Sequence, residues 1–138
     1  MLTHQNLLAT STGACFWAQT TSEVVVLGVL PMFHLTGMQA NMNAPIQLGG
    51  STVLMTRWDR DAAAELIQRY RVTSVTGITT MIVDFLANPQ LAKYDLSSLR
   101  TVGGGGSPIA PSLLEKAQEV IPQLKLAMAV GYGSTEPA

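Results

Sequence analysis

Near its carboxyl end the chain carries Tyr132-Gly133-Ser134-Thr135-Glu136, which puts a ring, two hydroxyls and a carboxylate side by side. A phenol ring can stack on a flat heterocycle, hydroxyls can bond phosphate oxygens, and a carboxylate is a hard oxygen ligand suited to Mg²⁺. The order Gly-Tyr-Gly-Ser excludes a nucleophile elbow, in which Ser stands between two Gly-x arms. An ordinary polar turn would use the same residue types.

A second segment, Gly103-Gly104-Gly105-Gly106-Ser107-Pro108, allows a backbone to approach a ligand closely and to take positive φ. Pro108 suits the first turn of a following helix, whose free N–H groups could face an anion. No Lys-Ser/Thr pair completes a P-loop, and the dinucleotide fingerprint belongs to a first βα turn rather than a fourth. A tight strand-to-helix turn is an equally good reading of the glycines alone.

His34, closing Leu30-Pro31-Met32-Phe33-His34, is either a hydrogen-bonded packing group or a base or substrate-positioning group. His4 and Cys15 are isolated from it in the chain, so no transition-metal ligand set is in view. Met32, Met38, Met42, Met55 and Met81 suit core filling, with an adaptable apolar tunnel as the other reading.

These segments need a frame, and the chain supplies alternating strands and helices. Thr3 is an N-cap for a first helix carrying Leu7, Leu8 and Ala14-Cys15. Val24–Leu30 reads as a strand closed by Pro31, and Leu35–Leu48 as helix, weakened by Gly37 and Pro45. Thr52–Met55 is the second strand. Asp59 caps a helix to Tyr70, with Ala63, Leu66, Ile67 and Tyr70 on one face and Glu65 one turn from Arg69. Val72–Ile78 is the third strand, Thr80–Leu86 a short helix and Leu99–Val102 the fourth strand. Pro108–Ile121 is amphipathic, with Leu113, Leu114, Ala117 and Ile121 inward, and Leu124–Val130 is the fifth strand.

The pattern predicts an α/β fold, a mostly parallel sheet of about five strands with helices on both faces, in one unit spanning 1–138. His34, Gly77-Ile78-Thr79-Thr80, the glycine segment and the terminal loop each follow the carboxyl end of a strand. In open α/β sheets that edge is where ligands bind.

Composition narrows the setting. Charged residues make up 12% of the 138, against roughly 25% in typical soluble domains. So few charges predict that part of the surface is normally covered by more protein. A net charge of −1 gives no electrostatic footprint for nucleic acid. No apolar run approaches the ~18 residues of a membrane span, and the N-terminus lacks the pattern of a signal peptide. The lone Cys15 fits a reducing, cytoplasmic location.

Met1-Leu2-Thr3-His4-Gln5-Asn6-Leu7, Leu30–His34, Leu99–Pro108 and Gly131–Glu136 together resemble, in order and spacing, the central part of the AMP-forming adenylating enzymes. That superfamily includes acyl-CoA synthetases, luciferases and the adenylation domains of peptide synthetases, and the likeness is greatest to fatty-acid-CoA ligases. It implies that Gly104, Gly105, Gly106, Ser107 and Pro108 line an adenine pocket with Tyr132, Gly133 and Ser134. Thr135 would bond the α-phosphate and Glu136 would hold Mg²⁺. His34 would sit near the carboxylate and thiol entry, and Gly77, Thr79, Thr80 and Gly103 would border the acyl pocket. The implied reaction joins a carboxylic acid, fatty or other, to ATP as an acyl-adenylate and transfers the acyl group to CoA.

The sequence departs from that pattern at Thr79, where the family usually has Pro, and at Pro137, where Thr is common. The family's phosphate loop, ribose-binding Asp and C-terminal domain have no counterpart here. The expectation is therefore an internal fragment of a ligase whose partner is the remainder of the parent enzyme, and which is inactive alone. A non-catalytic nucleotide-binding or interaction module with the same fold is the other reading. A Rossmann-type dehydrogenase fits worse because its glycine loop is misplaced.

Overall fold

The computed structural model describes residues 2–124 and 126–134. Helix α1 (His4–Trp17) starts as expected: the Thr3 side chain accepts from the Asn6 N–H, and the Asn6 side chain returns to the Thr3 N–H. Strand β1 (Val25–Gly28) follows, then an unbroken helical stretch made of α2 (Leu35–Gly37), a π-helix (Met38–Asn43) and α3 (Ala44–Leu48). Next come β2 (Ser51–Leu54), α4 (Arg60–Tyr70), β3 (Ser74–Ile78) and α5 (Thr79–Leu86). A short 3₁₀ turn at Leu91–Lys93 precedes β4 (Thr101–Gly105), α6 (Pro111–Val120) and β5 (Leu126–Gly131).

The five strands form one parallel sheet in the order β2-β1-β3-β4-β5. The expected five-stranded parallel α/β fold is present. Its helices cover the two faces unequally. Leu27, Val75 and Val102 point to the face packed by Ala63, Ala64 and Ile67 of α4, Ile82, Phe85 and Leu86 of α5, and Ala117 of α6. This is the main core, closed below by Leu99, Ile121 and Leu124. Within it a cavity of about 20 Å³ touches Gly77 and Met81, room for about one water and no tunnel.

Among the described residues the other face is covered over β1 and β2 by the Leu35–Leu48 stretch, on which α1 packs in turn. Over β3 and β4 it presents the hydroxyls of Ser74, Thr76 and Thr101, all half-buried, with Thr101 Oγ1 2.9 Å from Ser74 Oγ. On α1 only Ser11 and Cys15 are buried, while Leu8, Phe16 and Trp17 are exposed. Exposed apolar side chains occur on the outer helices of the first face too, at Tyr70, Val83 and Val120.

The weak points of the Leu35–Leu48 helix have visible causes. Gly37 packs so closely on the preceding loop that a Cβ there would collide with the Pro31 carbonyl. In α-register the Pro45 nitrogen would face the Asn41 carbonyl, but it has no hydrogen to give. The helix widens there, Ala44 N–H bonding Gln39 O, and Thr52 Oγ1 donates to the Asn41 carbonyl at 3.0 Å.

Several boundaries differ from expectation. The glycines are part of β4, which therefore runs to Gly105. The last helix starts at Pro111 and not Pro108, because a residue before proline is held extended, as Ala110 is at ψ 139°. Pro108 is thus not in a helical first turn. Arg69 does not pair with Glu65; its guanidinium lies 5.3 Å over the Tyr70 ring.

Asp59 caps α4 through the Asp61 and Ala62 N–H groups. Trp58 Nε1 and Arg60 both reach Asp84, at 2.9 and 3.2 Å, tying the start of α4 to α5. Replacing Ile67, 1% exposed, with Val is expected to lower stability by about 1 kcal/mol, read as a shift in the urea midpoint at constant slope. Burial pushes the Cys15 thiol up, so the folded chain should alkylate with iodoacetamide near neutral pH much more slowly than the urea-unfolded chain. Equal rates would show that the α1 packing opens readily.

Candidate active site at the carboxyl edge of the sheet

All five strands run the same way, so their carboxyl ends share one edge. The register sets three of them in a row: Ile78 stands opposite Gly105, and Gly105 opposite Gly131. The segments that leave this row are Thr79-Thr80, Gly106-Ser107-Pro108 and Tyr132-Gly133-Ser134. The glycine segment and the Tyr-Gly-Ser loop therefore leave adjacent strands side by side. Thr135 and Glu136 lie outside the described residues.

The strand order places a reversal between β1 and β3, the position at which open α/β sheets hold their ligands. Pairing across that point is short, restricted to Val26 with Ser74 and Leu27 with Val75. By contrast β3 and β4 pair along their whole length. The chain after β1, leading to His34, departs on the same edge.

His34 caps α2. Its Nδ1 accepts the Thr36 N–H at 3.2 Å, so in the neutral ring the hydrogen sits on Nε2. A side chain used this way has Nε2 left for a ligand, and in the neutral ring that atom is a donor. Phe33 beside it is 95% exposed, and Ile78 at the end of β3 is also exposed. Ile78 lies within the Gly77–Thr80 stretch noted from the sequence, whereas Phe33 figures there only as a neighbour of His34, its one signal being an apolar residue just beyond the end of a strand.

The glycines have unlike reasons. At Gly104 a Cβ would stand 3.0 Å from the Gly77 carbonyl oxygen and 3.2 Å from Ile82 Cδ1, so its smallness serves the packing of β3, β4 and α5. Alternation turns Gly103 and Gly105 to the less covered face. Gly106 has φ +80°, a turn that favours glycine, and opens onto free space.

Beyond the turn, Ser107 Oγ lies 2.7 Å from Thr79 Oγ1. No spacing rule could have predicted this contact between loops after different strands. Tyr132 presents a ring that is 97% exposed, Ser134 is half-buried, and Thr80 is exposed. The edge thus combines a flat ring, hydroxyls and accessible backbone, which suits a planar base with an attached phosphate. Among the described residues no three His, Cys, Asp or Glu side chains converge, and no helix is long and apolar enough to cross a membrane.

The fold is thus a parallel α/β sheet whose strand order reverses between β1 and β3, with the Thr79, Ser107 and Tyr132 segments leaving its carboxyl edge. The family model described as AMP-binding enzyme matches residues 1–138, and the chain belongs to that family. It is 32% identical over 99% of its length to a long-chain-fatty-acid–CoA ligase of Bacillus subtilis, covering 24% of that protein. It is 35% identical over 81% of its length to 4-coumarate-CoA ligase 1 of Narcissus pseudonarcissus, covering 20% of that protein. Among solved structures it superimposes on O-succinylbenzoate coenzyme A synthetase of B. subtilis in complex with ATP and magnesium, with TM-score 0.81 and 26% identity, covering 97% of this chain and 26% of that one. The matched part of the chain therefore spans between a fifth and a quarter of the length of these curated relatives.

Proposed function

We propose that this chain forms the nucleotide- and acyl-facing part of an ATP-dependent acyl-CoA ligase, which activates a carboxylic acid as its adenylate and passes the acyl group to CoA. The observation that carries the reading is the row Ile78, Gly105, Gly131, from which the Thr79, Ser107 and Tyr132 segments leave side by side. Its support from relatives is that the proteins of similar sequence are named as CoA ligases.

In this reading Tyr132 packs against adenine, and the backbone of Gly104–Gly106 with Ser107, Pro108, Gly133 and Ser134 lines the base and ribose side. Thr135 bonds the α-phosphate. His34 donates from Nε2 to the carboxylate, and Gly77, Thr79, Thr80 and Gly103 border the acyl group, with exposed Phe33 and Ile78 adding apolar surface. Mg²⁺, when bound, would neutralise phosphate charge; Glu136 would hold it together with phosphate oxygens. A cytoplasmic location, the remainder of a longer ligase as partner, and the absence of a nucleic-acid partner belong to the same reading.

The test is ATP–pyrophosphate exchange by the ligase that contains this segment. Exchange that depends on a fatty or other carboxylic acid is expected. Nucleotide binding without any acid-dependent exchange would favour the non-catalytic module instead.

A further inference from the structure

We propose that Thr79 and Ser107 act as a positioning pair, a hydroxyl clasp that fixes the nucleotide-lining turn relative to the turn bordering the acyl group. The two oxygens are 2.7 Å apart. Each belongs to a segment that leaves the end of its strand, Thr79 one residue after Ile78 and Ser107 two residues after Gly105, and those strand ends face each other in the sheet. Between Gly105 and Ser107 the only joint is Gly106 at φ +80°, with no atom within 4 Å of where a Cβ would be. A glycine joint is free to turn. Beyond the turn Ile109 packs against the core, and within the turn the one side-chain hydrogen bond among the described residues is that of Ser107 with Thr79.

Thr79 also stands at the start of a helix. It is the first residue of α5, preceded by Ile78 in extended conformation at φ −93°, ψ 158°. A proline fits both conditions: it is favoured at the first helical position and requires an extended residue before it. The backbone thus accepts either residue, but only Thr carries a hydroxyl. A proline at 79 would therefore trade the bond across the edge for a stiffened turn.

The pairing presupposes the adenylating reading for its kinetic readout, so the bond is tested separately. In the chain itself, Thr79→Val and Ser107→Ala are combined in a double-mutant cycle on urea unfolding, which needs no nucleotide. Coupled, non-additive effects are expected; strict additivity overturns the bond.

In the ligase containing this segment, Thr79→Val, Thr79→Pro and Ser107→Ala are each expected to raise KM for ATP by about three- to ten-fold, the worth of one ordinary hydrogen bond. kcat at saturating ATP should change less. Thr79→Ser should restore the parent value, and Thr79→Val with Ser107→Ala together should do no more than either alone. An effect confined to KM for the acid, or a Thr79→Ser enzyme no better than Thr79→Val, overturns the positioning role even if the unfolding cycle shows coupling. Failure of the parent ligase to use ATP at all would overturn the proposed function instead, while the unfolding cycle would still decide whether the bond exists.

Discussion

Gly37→Ala is expected to destabilise the chain by about 3 kcal/mol or more, at the upper end for overpacking. The new methyl would meet the Pro31 carbonyl and, at 2.7 Å, the Leu30 carbonyl oxygen. Both obstacles are backbone, so no side-chain rotation relieves the clash. Either the loop after β1 moves or the helix lifts from the sheet. Lifting would expose Asn41, which is 1% exposed and packs against Gly28. Moving the loop would carry His34 with it, since its N–H bonds the Pro31 carbonyl at 3.1 Å. The fall in the urea midpoint measures the first effect. In the ligase, a larger KM for the carboxylic acid would report the second. A variant of unchanged stability would mean that the helix does not sit on this loop.

In the ligase that contains this segment, the proposed Mg²⁺ role of Glu136 predicts that Glu136→Gln cuts acid-dependent adenylation by about a hundred-fold or more, the scale on which preorganised charge at a phosphoryl centre acts. Gln keeps the size and one acceptor oxygen but removes the negative charge that a hard cation prefers. The loss should be deepest at limiting Mg²⁺ and shrink as the ion is raised, while apo stability stays within about 0.5 kcal/mol. Equal activity of the two proteins at limiting Mg²⁺ would remove Glu136 from the site.

Much of this architecture was readable in the letters. Apolar β-branched runs announced the strands, Thr3 and Asp59 announced helix starts, and motifs after strand ends announced a shared edge. What escaped was set by tertiary contact. Glycines have no strand propensity, yet Gly103–Gly105 pair with β3 and β5 on either side, and at Gly104 the Gly77 carbonyl and Ile82 crowd the place a Cβ would take. Two prolines competed for one helix start, and Pro111 won because it constrains the residue before it. Helices on both faces followed from alternation, but alternation cannot say how much of a face is covered. The hydroxyl contact between residues 79 and 107 joins two loops far apart in sequence, beyond the reach of any local pattern.

Pro45 has a practical consequence. An engineer seeking stability would first replace a proline buried inside a helix, expecting to recover a missing bond. Here the carbonyl it leaves unpaired is already taken by the hydroxyl of Thr52. Pro45→Ala alone would offer a second donor to a carbonyl that already has one partner, and forming that bond would pull against a widened turn. Straightening this helix would require redesigning residues 41, 45 and 52 as a set.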